Sequence, residues 1–146
     1  MGHSMKVFIS HTTKDKEIAR AISIELKKNN IYTFIDEKLS PGSQIHGQTD
    51  SMLKSADAII AILSKHSFSS EWVRKELDEA LFNEKFKNKF FPVLLSKSAE
   101  DLSRLPWVLQ KINHLKLSPD ESPDILGRKI TKEFLKFIRR GNNYAS

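Results

Sequence analysis

Trp72 and Glu76 are the two residues whose types and spacing could support chemistry. They stand at i and i+4 in a segment with helical periodicity, so an indole face and a carboxylate lie side by side on one helix surface. A fixed carboxylate can stabilise a positive centre, and an indole can stack on a flat ring. The pair follows an apolar run at 58–63 and a polar stretch at 64–67. Because ligands of open α/β sheets bind beyond the carboxyl ends of strands, this segment is a candidate ligand site.

Strand and helix patterns alternate along the chain. The strand candidates are apolar runs at 7–9, 31–35, 58–63, 90–95 and 112–117. Apolar residues at helical spacing form the stripes Ile18, Ala19, Ile22, Leu26; Val73, Leu77, Ala80, Leu81; and Leu126, Ile130, Phe134, Phe137. A further helix with a narrow apolar face is predicted at about 44–54. This alternation predicts an α/β fold with a parallel sheet covered on both faces.

Polar residues mark the expected ends of the first helix and one loop between elements. Thr12, Thr13 or Asp15 is expected to cap the first helix, and Asn29 with Asn30 is expected to end it. Residues 36–43 form a polar turn around a Pro-Gly pair, and we expect this loop to be exposed.

Composition limits the chain to one soluble domain. It has 146 residues, of which 39% are hydrophobic and 29% charged. We assign residues 5–140 to the domain, 141–146 to a polar tail, and 1–4, which precede a second methionine, to a cloning remnant. No apolar run is long enough to span a membrane and no secretory signal is recognised, so a cytoplasmic location is expected.

Several kinds of site are disfavoured by residue usage. The chain has no cysteine, and its five histidines are scattered without an i, i+4 pair, so no metal site is predicted. The formal charge of +6 would suit phosphate-bearing partners. Solvated helix faces account for most of that charge, however, and no basic stripe with interleaved aromatics predicts nucleic-acid binding.

Three segments resemble the sequence boxes of the Toll/interleukin-1 receptor (TIR) domain family, particularly its bacterial members. Residues 7–11, Val-Phe-Ile-Ser-His, resemble the first-strand box. Phe-Ile-Asp at 34–36 and Leu-Ser-Pro-Gly at 39–42 resemble the second box and its BB loop. Ser-Glu-Trp-Val-Arg-Lys-Glu-Leu at 70–77 resembles the third-helix motif. The resemblance runs from about Lys6 to Arg140.

The resemblance implies a fold and an activity. The fold is a flavodoxin-like three-layer sandwich, with a five-stranded parallel sheet of order 2-1-3-4-5 and helices on both faces. In many bacterial and some animal and plant members the activity is cleavage of NAD at its nicotinamide glycosidic bond, giving nicotinamide and ADP-ribose or a cyclic isomer. NAD is then a substrate, and no separate cofactor is implied. By analogy, the setting is bacterial immune signalling, anti-phage defence or virulence.

The resemblance also implies roles for particular residues. Glu76 corresponds to the catalytic glutamate, and Trp72 to the aromatic lining of the pocket. Other candidate substrate-binding residues lie in the loop after the first strand and in the 36–43 loop: Ser10, His11, Thr12, Asp36, Lys38, Gly42 and Ser43. The 36–43 loop is further expected to mediate association with other TIR domains. A fused or partner sensor domain is also compatible with the family.

Each of these residues also has an ordinary structural interpretation. Glu76 could be a solvated surface glutamate, and Trp72 could pack the end of its helix onto the sheet. His11 is better interpreted as a polar loop residue than as a general base. The 36–43 loop could be a simple turn.

Two other function classes need residues that this chain lacks at the corresponding positions. A phosphoacceptor receiver domain needs acidic residues after strand one and an aspartate after strand three, where Ser10, His11 and Ser64 stand instead. A dinucleotide-binding Rossmann domain needs a glycine-rich turn after strand one, and none is present. A TIR module that acts only by binding other proteins, as an adaptor or effector, remains the alternative to the enzyme.

Overall fold

The computed structural model describes residues 5–11, 13–35, 55–64, 89–96 and 115–145, with the backbone alone described at 13 and 141–145. The elements in chain order are β1 (Lys6–Ser10), a 3-10 turn (Thr13–Asp15), α1 (Lys16–Lys28), β2 (Tyr32–Ile35), β3 (Ala58–Leu63), β4 (Phe90–Leu95), β5 (Leu115–Leu117) and α2 (Pro123–Ala145). The helices predicted at about 44–54 and around Trp72 and Glu76 lie outside the described residues.

The strands form one parallel five-stranded sheet in the order β2-β1-β3-β4-β5. In the register of β1, Phe8 stands opposite Phe34 of β2 on one side and Ile59 of β3 on the other. Parallel strands need crossover connections, which accounts for the long segments between most of the strands. The expected doubly wound, flavodoxin-like fold is confirmed.

Both faces of the sheet are buried. Val7 and Ile9 of β1 face the core that contains residues of α1 and α2. Phe8 points to the opposite face because side chains alternate along a strand, and it is also fully buried. Ile59 and Leu63 of β3 repeat this pattern. Burial on both faces explains why the strand sequences are continuously apolar.

The helices α1 and α2 pack together on one face of the sheet through the predicted stripes. Ala19, Ile22 and Leu26 of α1 are buried, as are Leu126, Ile130 and Phe134 of α2. Phe134 meets Phe91 of β4 edge to face, with ring centroids 5.7 Å apart and an interplanar angle of 72°. Ile18 and Phe137 are partly buried against the same core, so both stripes are confirmed.

The ends of these helices have local causes. Asn30 adopts a left-handed conformation with φ 61°, so α1 stops where the Asn pair predicts. The Ile31 and Asn30 amides then donate to the Leu26 and Lys27 carbonyls at 3.1 and 3.0 Å, in the Schellman pattern. Helix α2 begins at Pro123 after Ser122, whose Oγ accepts a hydrogen bond from the Ile125 amide at 3.4 Å.

Helix α2 extends further than its apolar stripe. Its backbone remains helical through residues 141–145, which the sequence pattern assigns to a polar tail. The periodic stripe ends near Phe137, and apolar periodicity gives no signal for helix beyond the last packed side chain. Among the described helices, none has an apolar stretch of the length needed to cross a bilayer.

Candidate functional site

Buried polar side chains mark the carboxyl ends of three neighbouring strands. Ser10 ends β1 and is followed by His11, Ser64 follows β3, and Ser96 follows β4. All four are nearly inaccessible to solvent, between 1% and 5% exposed. Because the strands are parallel and adjacent, these hydroxyl and imidazole groups collect at one edge of the sheet. Such an edge can offer a ligand several hydrogen-bonding groups on a rigid support.

The strand order places a topological switch point between β1 and β3. The chain leaves β1 to form β2 on one side of it and then returns to form β3 on the other side. Crossovers that diverge in this way open a crevice beyond the carboxyl ends of the two strands, where ligands of open α/β sheets bind. Ser10, His11 and Ser64 stand at this crevice.

Asp15 connects the loop after β1 to the end of β3. Its Oδ2 accepts a hydrogen bond from Ser64 Oγ at 2.7 Å, and the bond is buried. The two residues are 49 positions apart in the chain, so the bond bridges the two sides of the switch point. It holds the 3-10 turn against β3.

This use of Asp15 corrects one part of the capping prediction. Asp15 does occupy the N-cap position of α1, but its side chain makes no capping hydrogen bond. An N-cap side-chain bond usually stabilises a helix by about 0.5–2 kcal/mol. Asp15 instead directs its carboxylate to Ser64, because burial at 6% exposure next to a hydroxyl donor favours a tertiary partner over the helix amides.

The sequence-predicted site residues fall into two groups. Ser10 and His11 are described, buried, and located at the switch point as expected. The remaining candidates lie outside the described residues: Thr12, Asp36, Lys38, Gly42, Ser43, Trp72 and Glu76.

Sequence reasoning missed Ser64, Ser96 and the tertiary role of Asp15 as parts of this edge. A usable signal existed for the serines. Each is the first polar residue after a continuously apolar strand, the same position that Ser10 and His11 hold relative to β1. No local signal pointed from Asp15 to Ser64, because that pairing depends on the strand order.

A cavity of about 520 Å³ lies elsewhere in the fold. Its described lining includes Ser23 and Lys27 of α1 and Asn30 to Thr33 at the start of β2. The cavity therefore lies at the amino-terminal end of β2, opposite the edge that carries Ser10 and Ser64. We assign the candidate site to the carboxyl edge, since position in the topology is a better guide than the size of an open cavity.

Within the part of the chain that the structure describes, no group of three or more His, Asp or Glu side chains has the geometry of a metal site. The side chains described at the sheet edge supply hydroxyl, imidazole and carboxylate groups, which can hold a polar ligand.

Family membership is decided by the match of the chain to a family model. The model described as TIR domain matches residues 7–129, which include the switch point, β2 to β5 and all of β1 except Lys6. The chain belongs to the TIR domain family. The resemblance carried by the three sequence boxes is thus confirmed.

Two curated relatives of this TIR domain are from archaea. One, named NAD(+) hydrolase TcpA, of Theionarchaea archaeon (strain DG-70-1), is 28% identical over 137 residues, which are 92% of this chain and 40% of that protein. The other, of Methanobrevibacter olleyae, is named a probable 2′ cyclic ADP-D-ribose synthase, TcpO. It is 24% identical over 111 residues, which are 75% of this chain and 33% of that protein. The TIR domain therefore spans well under half the length of these relatives.

Solved structures agree with the fold of this TIR domain. The TIR domains in the structure of the activated Roq1 resistosome, directly recognizing the pathogen effector XopQ, superpose with a TM-score of 0.63. The match covers 89% of this chain and 99% of that chain at 20% sequence identity. At this identity the likeness supports the fold alone.

Proposed function

We propose that this TIR domain cleaves the bond between nicotinamide and ribose in NAD, yielding nicotinamide and either ADP-ribose or a cyclic isomer. The observation that carries the proposal is the row of buried polar groups at the β1–β3 switch point, Ser10, His11 and Ser64, in a chain of this family. The names of the two curated relatives support NAD as the substrate.

The chemistry requires stabilisation of positive charge. When the C1′–N bond breaks, its electron pair passes to the pyridinium nitrogen, and neutral nicotinamide leaves. The ribosyl centre then resembles an oxocarbenium ion. In hydrolysis a water oxygen bonds to C1′ and loses a proton, whereas in cyclisation a nucleophilic atom of the same molecule takes that place. In either case a fixed carboxylate next to C1′ lowers the barrier, because it acts where positive charge develops.

We assign that carboxylate to Glu76 and the stacking surface to Trp72, following the third-helix motif at 70–77. Ser10, His11 and Thr12 are proposed to contact the nucleotide from the loop after β1. The rigid ends of β1 and β3 support this edge, and rigid support favours the geometry that catalysis needs.

The loop 36–43 is proposed to complete the pocket and to associate with other copies of the domain. Asp36, Lys38, Gly42 and Ser43 are its candidate substrate contacts. We further propose a cytoplasmic setting in bacterial immune defence or virulence, with a sensor domain fused to the TIR domain or supplied by a partner. The limited coverage of the curated relatives leaves room for such a domain.

The experiment that tests the proposal follows nicotinamide release from NAD by the purified protein and separates the nucleotide products by chromatography. ADP-ribose would identify a hydrolase, and an isomer with the mass of NAD less nicotinamide would identify a cyclase. Protein at high concentration, or crowded to promote association, should be included. Absence of nicotinamide under both conditions would overturn the enzymatic function and favour the protein-binding alternative.

A further inference from the structure

Asp15 and Ser64 stand out because their bond joins the two sides of the candidate site. The carboxylate belongs to the turn after β1, and the hydroxyl follows β3, so the 2.7 Å contact closes across the switch point. Both side chains are buried, at 6% and 5% exposure, and the contact is therefore shielded from competing water.

The local chemistry of α1 argues against a purely helical role for Asp15. An aspartate at the N-cap position would ordinarily accept a bond from the first helix amides, yet this side chain makes none. Its Oδ2 instead accepts the bond from Ser64 across the sheet edge. The position of the 3-10 turn therefore depends on the end of β3 as well as on the helix.

We propose that Asp15 and Ser64 are positioning residues that fix the segment after β1 for substrate binding, and this inference rests on the proposed NAD-cleaving function. The segment begins with His11, directly after Ser10 at the end of β1, and both residues lie at the switch point. Asp15 acts on them through the short backbone connection, and Ser64 anchors Asp15. Loss of the bond should displace the nucleotide-contacting groups without removing the catalytic carboxylate.

A matched control is available in α1, the helix that follows Asp15. Ser23 Oγ and Thr33 Oγ1 form a hydrogen bond of 2.5 Å that joins α1 to β2. Like the Asp15–Ser64 bond, it links the region of α1 to a strand through side chains. Residues Ser23 and Thr33 line the cavity at the start of β2, away from the switch point. Ser23→Ala therefore removes a comparable side-chain hydrogen bond between two elements without changing a residue of the candidate site.

The test measures kcat and KM for nicotinamide release by Ser64→Ala, Asp15→Ala, their double variant, Asp15→Asn and Ser23→Ala, together with the melting temperature of each. Ser64→Ala and Asp15→Ala should raise KM roughly tenfold with a smaller change in kcat, since substrate placement rather than the reacting carboxylate is disturbed. The double variant should resemble either single variant, because each removes the same bond. Asp15→Asn keeps an oxygen acceptor, so its KM should lie between those of Asp15→Ala and wild type. Ser23→Ala should change the melting temperature but leave kcat and KM unchanged.

Two results would overturn the proposal while leaving the NAD-cleaving function intact. One is that Ser64→Ala and Ser23→Ala lower the melting temperature alike and leave KM unchanged. The other is that the effects of Ser64→Ala and Asp15→Ala on KM simply add. If Asp15→Ala fails to fold, Ser64→Ala and Asp15→Asn carry the same test.

Failure of the proposed function is recognised from the wild-type protein, by its nicotinamide release and its binding of NAD. If the wild-type protein binds NAD in a calorimetric titration but releases no nicotinamide, the comparison is made on the dissociation constant for NAD. Weaker binding by Ser64→Ala than by Ser23→Ala then supports the positioning role, and equal binding overturns it. If the wild-type protein neither cleaves nor binds NAD, the positioning role is overturned together with the function.

Discussion

Gly127 of α2 lies so close to Ala21 of α1 that a Cβ at position 127 would be 2.6 Å from the Cβ of Ala21. The same added atom would lie 2.9 Å from the Ala21 carbonyl carbon and 3.2 Å from the Ile22 amide nitrogen. These distances are shorter than van der Waals contact, so the two helices approach at a spacing that only glycine permits.

We predict that Gly127→Ala destabilises the protein although alanine is the better helix former. Helix propensity alone favours alanine by about 1 kcal/mol. The steric conflict with α1 should outweigh that gain and lower the free energy of unfolding by about 1–3 kcal/mol. Urea denaturation followed by circular dichroism measures the difference.

Ala21→Gly provides the matched compensating change for this prediction. It removes the atom that the new Cβ meets first, so the double variant should lose less stability than the two single variants combined, while the two backbone contacts keep the compensation incomplete. A Gly127→Ala protein as stable as wild type would contradict the close approach of α1 and α2.

The central strands were the most predictable part of the fold. The runs 58–63 and 90–95 coincide with β3 and β4, because strands buried on both faces are marked by continuous apolar sequence. At the edge, the described strand Leu115–Leu117 lies within the predicted run 112–117, whose first three residues lie outside the described residues. Leu115 and Leu117 are only partly buried, so the hydrophobic signal of this strand is weaker than that of β3 and β4.

The candidate site was predictable only where local sequence carries the information. Ser10 and His11 directly follow the apolar run 7–9, and that position predicts their place at the sheet edge. The pairing of Asp15 with Ser64 could not, since a capping rule considers nearby amides and the partner is 49 residues away. That bond depends on β3 lying next to β1.

We predict that Trp72 contributes a stacking surface for NAD. Trp72→Ala should raise the KM for NAD more than Trp72→Phe, because phenylalanine keeps a π face and much of the apolar contact. Steady-state nicotinamide release by the two variants measures the difference, with melting temperature as the control for folding. If both substitutions lower the melting temperature and leave KM alone, Trp72 is a packing residue.

We predict that activity depends on self-association through the 36–43 loop. If a neighbouring copy orders this loop, only the associated form has a complete pocket, and activity per molecule should rise with protein concentration. Leu39→Glu should abolish that rise without unfolding the monomer, since a residue in a loop contributes little to the core. Specific activity across a dilution series, paired with light scattering, tests this dependence.

Ile24→Glu is the control for the Leu39 variant. Ile24 is an apolar residue of α1 with 59% exposure, so the same charge is introduced outside the 36–43 loop. It should leave the concentration dependence intact. Specific activity that stays constant from dilute to concentrated protein, with Leu39→Glu equal to wild type, would exclude this mechanism.

The most direct test of the account is the rate of nicotinamide release from NAD by Glu76→Gln, compared with wild type and with Glu17→Gln. Glutamine keeps the size of the side chain but removes the charge that stabilises the ribosyl centre. Glu17 is exposed on α1 and provides the same substitution at a residue with no role in the proposed chemistry. We predict that Glu76→Gln lowers the rate about 10²-fold or more with an unchanged circular dichroism spectrum, while Glu17→Gln remains near wild type. A folded Glu76→Gln protein that releases nicotinamide at the wild-type rate would contradict the account.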